Sequence, residues 1–380
     1  MLPALVFLAL AAFAAALLWS PHAGRAAALH LILAVGAMPL IFGAMGHFIP
    51  VLTRTRSAPS ALAILPVLAL AGGALVVAAL GFPGMLWGQP AGALLAVTAA
   101  GALFVWSRRR RAGMLGRPHP CLAWYEAALA CLVAALLAIL ASALWPQQAS
   151  ALRRLHLHLN TLGFVGLTAM GTLAVLLPTV AGRPHPQTGP RLRRDLSWAV
   201  AGTLLVALGA AWYGPLAWVG GALWTIPPAR LAAGWLRSCR VEIVALHGAA
   251  PLLAAALAGL VGSAMLGAVN AIPATATLHS LQPAWAFVAG FILPLVSGAA
   301  SQLLPVWLRP GVQDGWHVRL RDNLGRYGGA RAVLFGIAGG AAGIGREWGL
   351  LLGAVTLILF LLQACVALAQ ALIVRPRSPS

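Results

Sequence analysis

Long, uninterrupted apolar stretches set the outline of this chain. Leu2 to Trp19, Cys121 to Leu144 and Leu350 to Ile373 are three of them. A helix needs about 20 apolar residues to cross about 30 Å of hydrocarbon, and these stretches reach or approach that length. Inside lipid the backbone must satisfy its own hydrogen bonds, which leaves helices and closed barrels. The stretches lack the alternation of a barrel strand. The chain therefore reads as an all-α polytopic integral membrane protein. Of its 380 residues, 61% are hydrophobic and only 8% charged, against about a quarter charged in a soluble domain. The first stretch has no basic start and no clear small-residue cleavage site, so it is expected to be a helix and not a cleaved signal.

Twelve helices are expected, over 2–19, 27–50, 60–80, 86–106, 121–144, 155–179, 196–212, 215–236, 241–266, 280–306, 330–345 and 349–373. In the eighth, Pro227 and Pro228 predict a kink or a break. The net charge of +19 rests on 25 arginines, with no lysine. Twenty-one arginines follow even-numbered helices or lie near their ends, and only Arg25, Arg153, Arg154 and Arg346 fall on the opposite side. That bias predicts both termini in the cytoplasm, with the four exceptions at the outer face. It also explains the basic balance without nucleic acid. The lipid bilayer is the expected partner, and the expected location is the inner (cytoplasmic) membrane.

The helices repeat. Helices 2, 6 and 10 end in a proline before a basic loop: Pro50, Pro178 and Pro305, spaced 128 and 127 residues apart. Seven residues before each stands a glycine: Gly43, Gly171 and Gly298. Small residues let helices approach closely in lipid. Four helices recurring three times predict a pseudo-threefold (3 x 4) bundle, one transmembrane domain over 1–380 with repeats near 1–115, 116–240 and 241–380.

Six of ten histidines fall in or near the helices. His30 and His158 each stand 20 residues before their proline, hence at matched heights about 30 Å from the inner prolines. Two imidazoles at equal depth on neighbouring helices suit the axial positions of a haem, and imidazole also ligates copper. The plain alternative is a histidine that hydrogen-bonds a neighbouring carbonyl and binds nothing. His156, two residues before His158, points about 200° away from it on a helix, so the two would face different sites. In the third repeat Trp285 takes the place of His30, and His279 lies six residues earlier. His156 and His279 are thus candidates for a second metal site. Arg25, Arg153, Arg154 and Arg346 are candidates for haem propionates, for which guanidinium is well suited, or for lipid headgroups. His47 and His247 lie towards the arginine-rich side, too far along for this site. His22, His119, His185 and His317 fall in loops. The four cysteines form no CxxC pair and read as small hydrophobes. Glu126 and Glu242 are expected as solvated or arginine-paired carboxylates.

The helix 2 segment, HLILAVGAMPLIFGAMGHFIPVLTR, resembles the second helix of haem-copper oxidase subunit I. His30 falls on that family's low-spin haem ligand, with Met38, Pro39, Gly43, Gly46 and Pro50 matching the surrounding pattern. The resemblance implies twelve helices in pseudo-threefold array, cytoplasmic termini, bound haem b and a cytochrome or other redox partner. The family's His-Pro-Glu-Val-Tyr copper motif and its His-His pair are missing, and the His-x-His pair stands on helix 6 where the oxidases carry theirs on helix 10. The resemblance therefore implies electron transfer, or the handling of nitric oxide, oxygen or copper, without a complete copper-haem reductase site. The His-x-His segment ahead of a proline is also similar to that of the NnrS family of haem- and copper-associated membrane proteins. The alternatives are a transporter or copper-handling protein of the same fold without haem, and an assembly subunit with vestigial sites.

Overall fold

The computed structural model describes residues 1–20, 24–183, 186–271 and 282–373. Among them every regular element is helical. The long helices are α1 (Leu2–Trp19), α2 (Arg25–Thr53), α3 (Ile64–Gly81), α4 (Gly88–Ala112), α5 (Cys121–Leu144), α6 (Pro146–Val180), α7 (Thr188–Ala211), α8 (Gly214–Ser238), α9 (Ala250–Asn270), α10 (Gln282–Leu308), α11 (Gly328–Gly343) and α12 (Trp348–Ile373). Among the described residues, nine are long and apolar enough to cross a membrane. The others are α7, which opens on Arg191, Arg193, Arg194 and Asp195, the proline-bearing α8, and α11 with 16 residues.

Packing follows a recurring scheme. α1 packs on α2, α5 on α6 and α9 on α10; α3 pairs with α4, α7 with α8 and α11 with α12. Between these sets α4 meets α5, α8 meets α9 and α12 returns to α1. The glycine seven residues before each proline serves the first kind of contact. A methyl at Gly43 would stand 2.7 Å from Leu5 of α1, one at Gly171 2.9 Å from Trp124 of α5, and one at Gly298 2.9 Å from Leu252 of α9. Small residues at these points let side chains of the partner helix lie flat on the backbone. Where the three proline-ended helices meet, Phe42 of α2 makes an edge-on contact with Phe164 of α6 (6.1 Å), and His47 with Trp307 of α10 (6.2 Å).

These three helices share a further feature. Each opens into π-helix, over Leu31–Ala37, Leu159–Gly166 and Val288–Ile292. The widened segments end 13, 12 and 13 residues before Pro50, Pro178 and Pro305. Pro39 and Pro294 follow two of them closely. Proline has no N–H to give the preceding turn and its ring collides with the carbonyl four residues back, so a widened turn relieves both problems. In α6 Leu167 holds that position, so proline is not the whole cause.

Two expectations need correction. The ninth helix begins at Ala250, not 241: Arg240–Ile243 form a separate turn, and His247 sits in the loop behind it, accepting from the Tyr327 N–H at 3.0 Å. Gly248, at φ 94°, and Pro251 near the helix start mark the true entry. α8 runs through Pro227 and Pro228 without the break that was one of the two outcomes expected there. His317 is not in a loop. It is buried in a short helix, Gly315–Gly325, where it completes a capping box with Asp314; its hydrogen bond holds the Asp314 carboxyl below the usual carboxylate range. All four cysteines are free thiols, and Cys121, Cys131 and Cys239 are buried.

Candidate functional site

The histidines gather where α2 and α6 begin. His30 is the last residue before the π segment of α2, and His158 the last before that of α6. The ring lying against His30, however, is that of His156. Their centroids are 6.4 Å apart and their planes within 13°. Helical geometry sends His158 to the other side of α6, so the structure brings together His30 and His156 where register alone suggested His30 and His158.

The hydrogen bonds define what these rings can do. His30 Nδ1 lies 2.8 Å from the Ala26 carbonyl, and His156 Nδ1 2.9 Å from the Ala135 carbonyl of α5. A carbonyl oxygen only accepts, so each Nδ1 carries the proton and each Nε2 keeps its lone pair. Anchoring one ring nitrogen on a carbonyl while the other stays basic is the usual arrangement behind a metal-ligating histidine. Asn160 donates to the His156 carbonyl at 2.9 Å, and its amide nitrogen stands 3.3 and 3.4 Å from the two ring nitrogens. Near-equal distances place it off the axis of either lone pair.

A copper site asks for more. Among the described residues no group of three or more His, Cys, Asp or Glu side chains comes together. His279 lies outside the described residues. Two imidazoles suffice for the axial positions of a haem, so the donor set fits that group better than a three-ligand copper centre.

The four arginines of the arginine-poor side divide. Arg154 is engaged, donating to the Ala210 carbonyl at 2.7 Å and the Ala211 carbonyl at 3.1 Å. It caps the C-terminal end of α7, where a cation also meets the negative end of the helix dipole. Arg153 and Arg25 occupy the same register, each 25 residues before its proline. Arg25 and Arg346 together line a separate cleft of about 330 Å³ between α1, α10 and the turn joining α11 to α12. At the opposite, arginine-rich end the carboxylates are paired: Glu126 with Arg111 at 2.6 Å, Asp195 with Arg230 at 2.8 Å, and Glu242 with Arg183 at 3.0 Å.

Sequence reasoning missed the π segments and the facing of His30 towards His156. Pro39 and Pro294 at equal distance from the terminal prolines were the available signal for the first. Nothing in the sequence signalled the second, because helix rotation across a π segment does not follow the α-helical count.

The described fold defines the chain as an all-α polytopic membrane protein. No protein-family model matches it. Cytochrome c oxidase subunit 1 of Thermus thermophilus is 38% identical over 60 residues, which cover 16% of this chain and 56% of that relative. The chain thus spans about half the length of the curated relative it matches. This partial similarity supports a haem-copper-oxidase-like relationship.

Proposed function

We propose that this chain is a haem-binding membrane protein related to haem-copper oxidase subunit I, with His30 and His156 holding haem b. The observation that carries the reading is the pair of imidazoles 6.4 Å apart, each with Nδ1 anchored on a carbonyl. A haem held by His30 and His156 would supply electron transfer. Arg153, three residues before His156 and on the same helical face, is the propionate candidate. His158, with His279, is the candidate for a second site taking copper or haem. Because the oxidase copper motifs are missing, the role is electron transfer, or the handling of nitric oxide, oxygen or copper, and not complete reduction of oxygen or nitric oxide. A cytochrome or comparable carrier is the redox partner.

The recurring helix contacts, the three glycine-proline pairs and the three π segments support a twelve-span, pseudo-threefold bundle, one domain of three four-helix repeats. The arginine distribution supports insertion in the cytoplasmic membrane with both termini inside.

The test is the absorption spectrum and metal content of the full chain purified after expression with ample haem. A Soret band with about one haem per chain is expected. Stoichiometric copper without a Soret band would leave the copper-handling alternative in its place.

A further inference from the structure

The cleft at the arginine-poor end is separate from the histidine pair and carries its own chemistry. Arg25 and Arg346 line it, together with Glu347, Trp285, Trp348 and Gln282, and leucines of α1 and α12 form an apolar wall. No ion pair among the described residues joins the three charged side chains to one another or to any other group. The cleft therefore presents two cations and one anion, a surplus of one positive charge. Gln282 is 8% exposed, and its Oε1 is buried without a hydrogen-bond partner. A buried acceptor left without a donor is destabilising, so the site lacks a donor as well as an anion. Tryptophans at this height match the belt where lipid headgroups lie.

We propose that this cleft binds one phospholipid whose headgroup combines a single phosphodiester charge with hydroxyl donors, of the phosphatidylglycerol type. The phosphate lies between Arg25 and Arg346, where guanidinium forks suit it. One headgroup hydroxyl donates to Gln282 Oε1 and the other to the Glu347 carboxylate. The acyl chains follow the leucine wall. One phosphate cancels the surplus charge, and the hydroxyls meet the orphan acceptor. Neither haem nor the histidine pair enters this reading.

The full chain in nanodiscs of phosphatidylcholine, with phosphatidylglycerol titrated in, tests it by native mass spectrometry. One phosphatidylglycerol retained per chain is expected. Arg25→Gln with Arg346→Gln should weaken retention about tenfold or more, since each surface arginine contributes about 1 kcal/mol towards an anionic lipid. Gln282→Leu should reduce the preference for phosphatidylglycerol over phosphatidic acid, which lacks the glycerol hydroxyls. Should the double variant fail to fold, the two single arginine variants and Gln282→Leu decide the matter. Equal retention by the arginine variants overturns the proposal. So does saturation of the site by inorganic phosphate alone, which would make it a free-anion site. A shifted Soret band or haem potential in the arginine variants would assign the guanidinia to propionates, and would also overturn it.

Discussion

His156 of α6 reaches across to the Ala135 carbonyl of α5 with Nδ1, and its ring lies nearly parallel to that of His30 on α2, 6.4 Å away. One side chain thus ties three helices at one depth, which makes it the most informative residue to alter. His30→Ala and His156→Ala should each abolish the spectrum of a six-coordinate haem, while His158→Ala should keep it. Loss of that spectrum in His158→Ala with retention in His156→Ala would show that register, and not ring contact, chooses the ligand.

The α7–α8 pair should not tolerate added bulk. A methyl at Gly202 would stand 2.6 Å from the Trp224 backbone nitrogen and 2.8 Å from the Gly220 carbonyl. Both are backbone atoms and cannot rotate aside, so Gly202→Ala should destabilise by about 1–3 kcal/mol. Gly101→Ala is the control, because nothing lies within 4 Å of the added methyl; it should be neutral or stabilising by about 0.5–1 kcal/mol. Thermal unfolding in detergent measures both, and equal midpoints for the two variants contradict the close approach.

His119 gives a pH dependence. It lies outside the spans, its Nδ1 accepts from the Cys121 N–H at 3.2 Å, and burial together with the charge of Arg193 lowers its pKa from 6.5. The unfolded chain takes up this proton as pH falls below about 6.5, and the folded chain resists until a lower pH. The stability from the neutral ring is thus complete above that value, declines as pH falls through the folded pKa, and is gone below it. His119→Asn should flatten the fall in unfolding temperature between pH 7 and pH 5 relative to the parent. An unchanged slope means the loop does not hold the ring neutral.

Glu126 and Arg111 should respond unequally. The Glu126 side chain is 6% exposed and the Arg111 side chain 41%. Arg111→Ala strands a buried carboxylate and should cost towards the low end of about 3–5 kcal/mol, since Arg108 remains 3.5 Å away. Glu126→Gln removes the charge itself, leaves the arginines to water, and should cost less. A chemical-unfolding comparison giving the reverse order would refute this account.

Much of the architecture was legible because membrane helices announce themselves by apolar length. The expected starts of α1 and α5 match the structure, and the proline-glycine register anticipated how α2, α6 and α10 pack. Legibility failed where local chemistry competed with hydropathy. The apolar residues before Ala250 read as helix, yet Gly248 breaks the chain there. Arg154 read as an anion ligand, yet the C-terminus of α7 takes both ends of its guanidinium, a partner 56 residues away in sequence. The site was half legible: depth along a helix follows from counting residues, but facing depends on turn geometry, and the π segments alter it.

Those widened turns have a consequence for change in this chain. A π-turn holds one residue more than an α-turn, and each residue rotates an α-helix by about 100°. Deleting a single residue from Leu31–Ala37 would let α2 close to regular helix while His30 keeps nearly its direction relative to Pro50, because the widened turn already absorbs the rotation of the extra residue. The same holds for Leu159–Gly166 in α6. A one-residue deletion in the regular part of either helix between histidine and proline has no such slack and would turn His30 or His156 by about 100°.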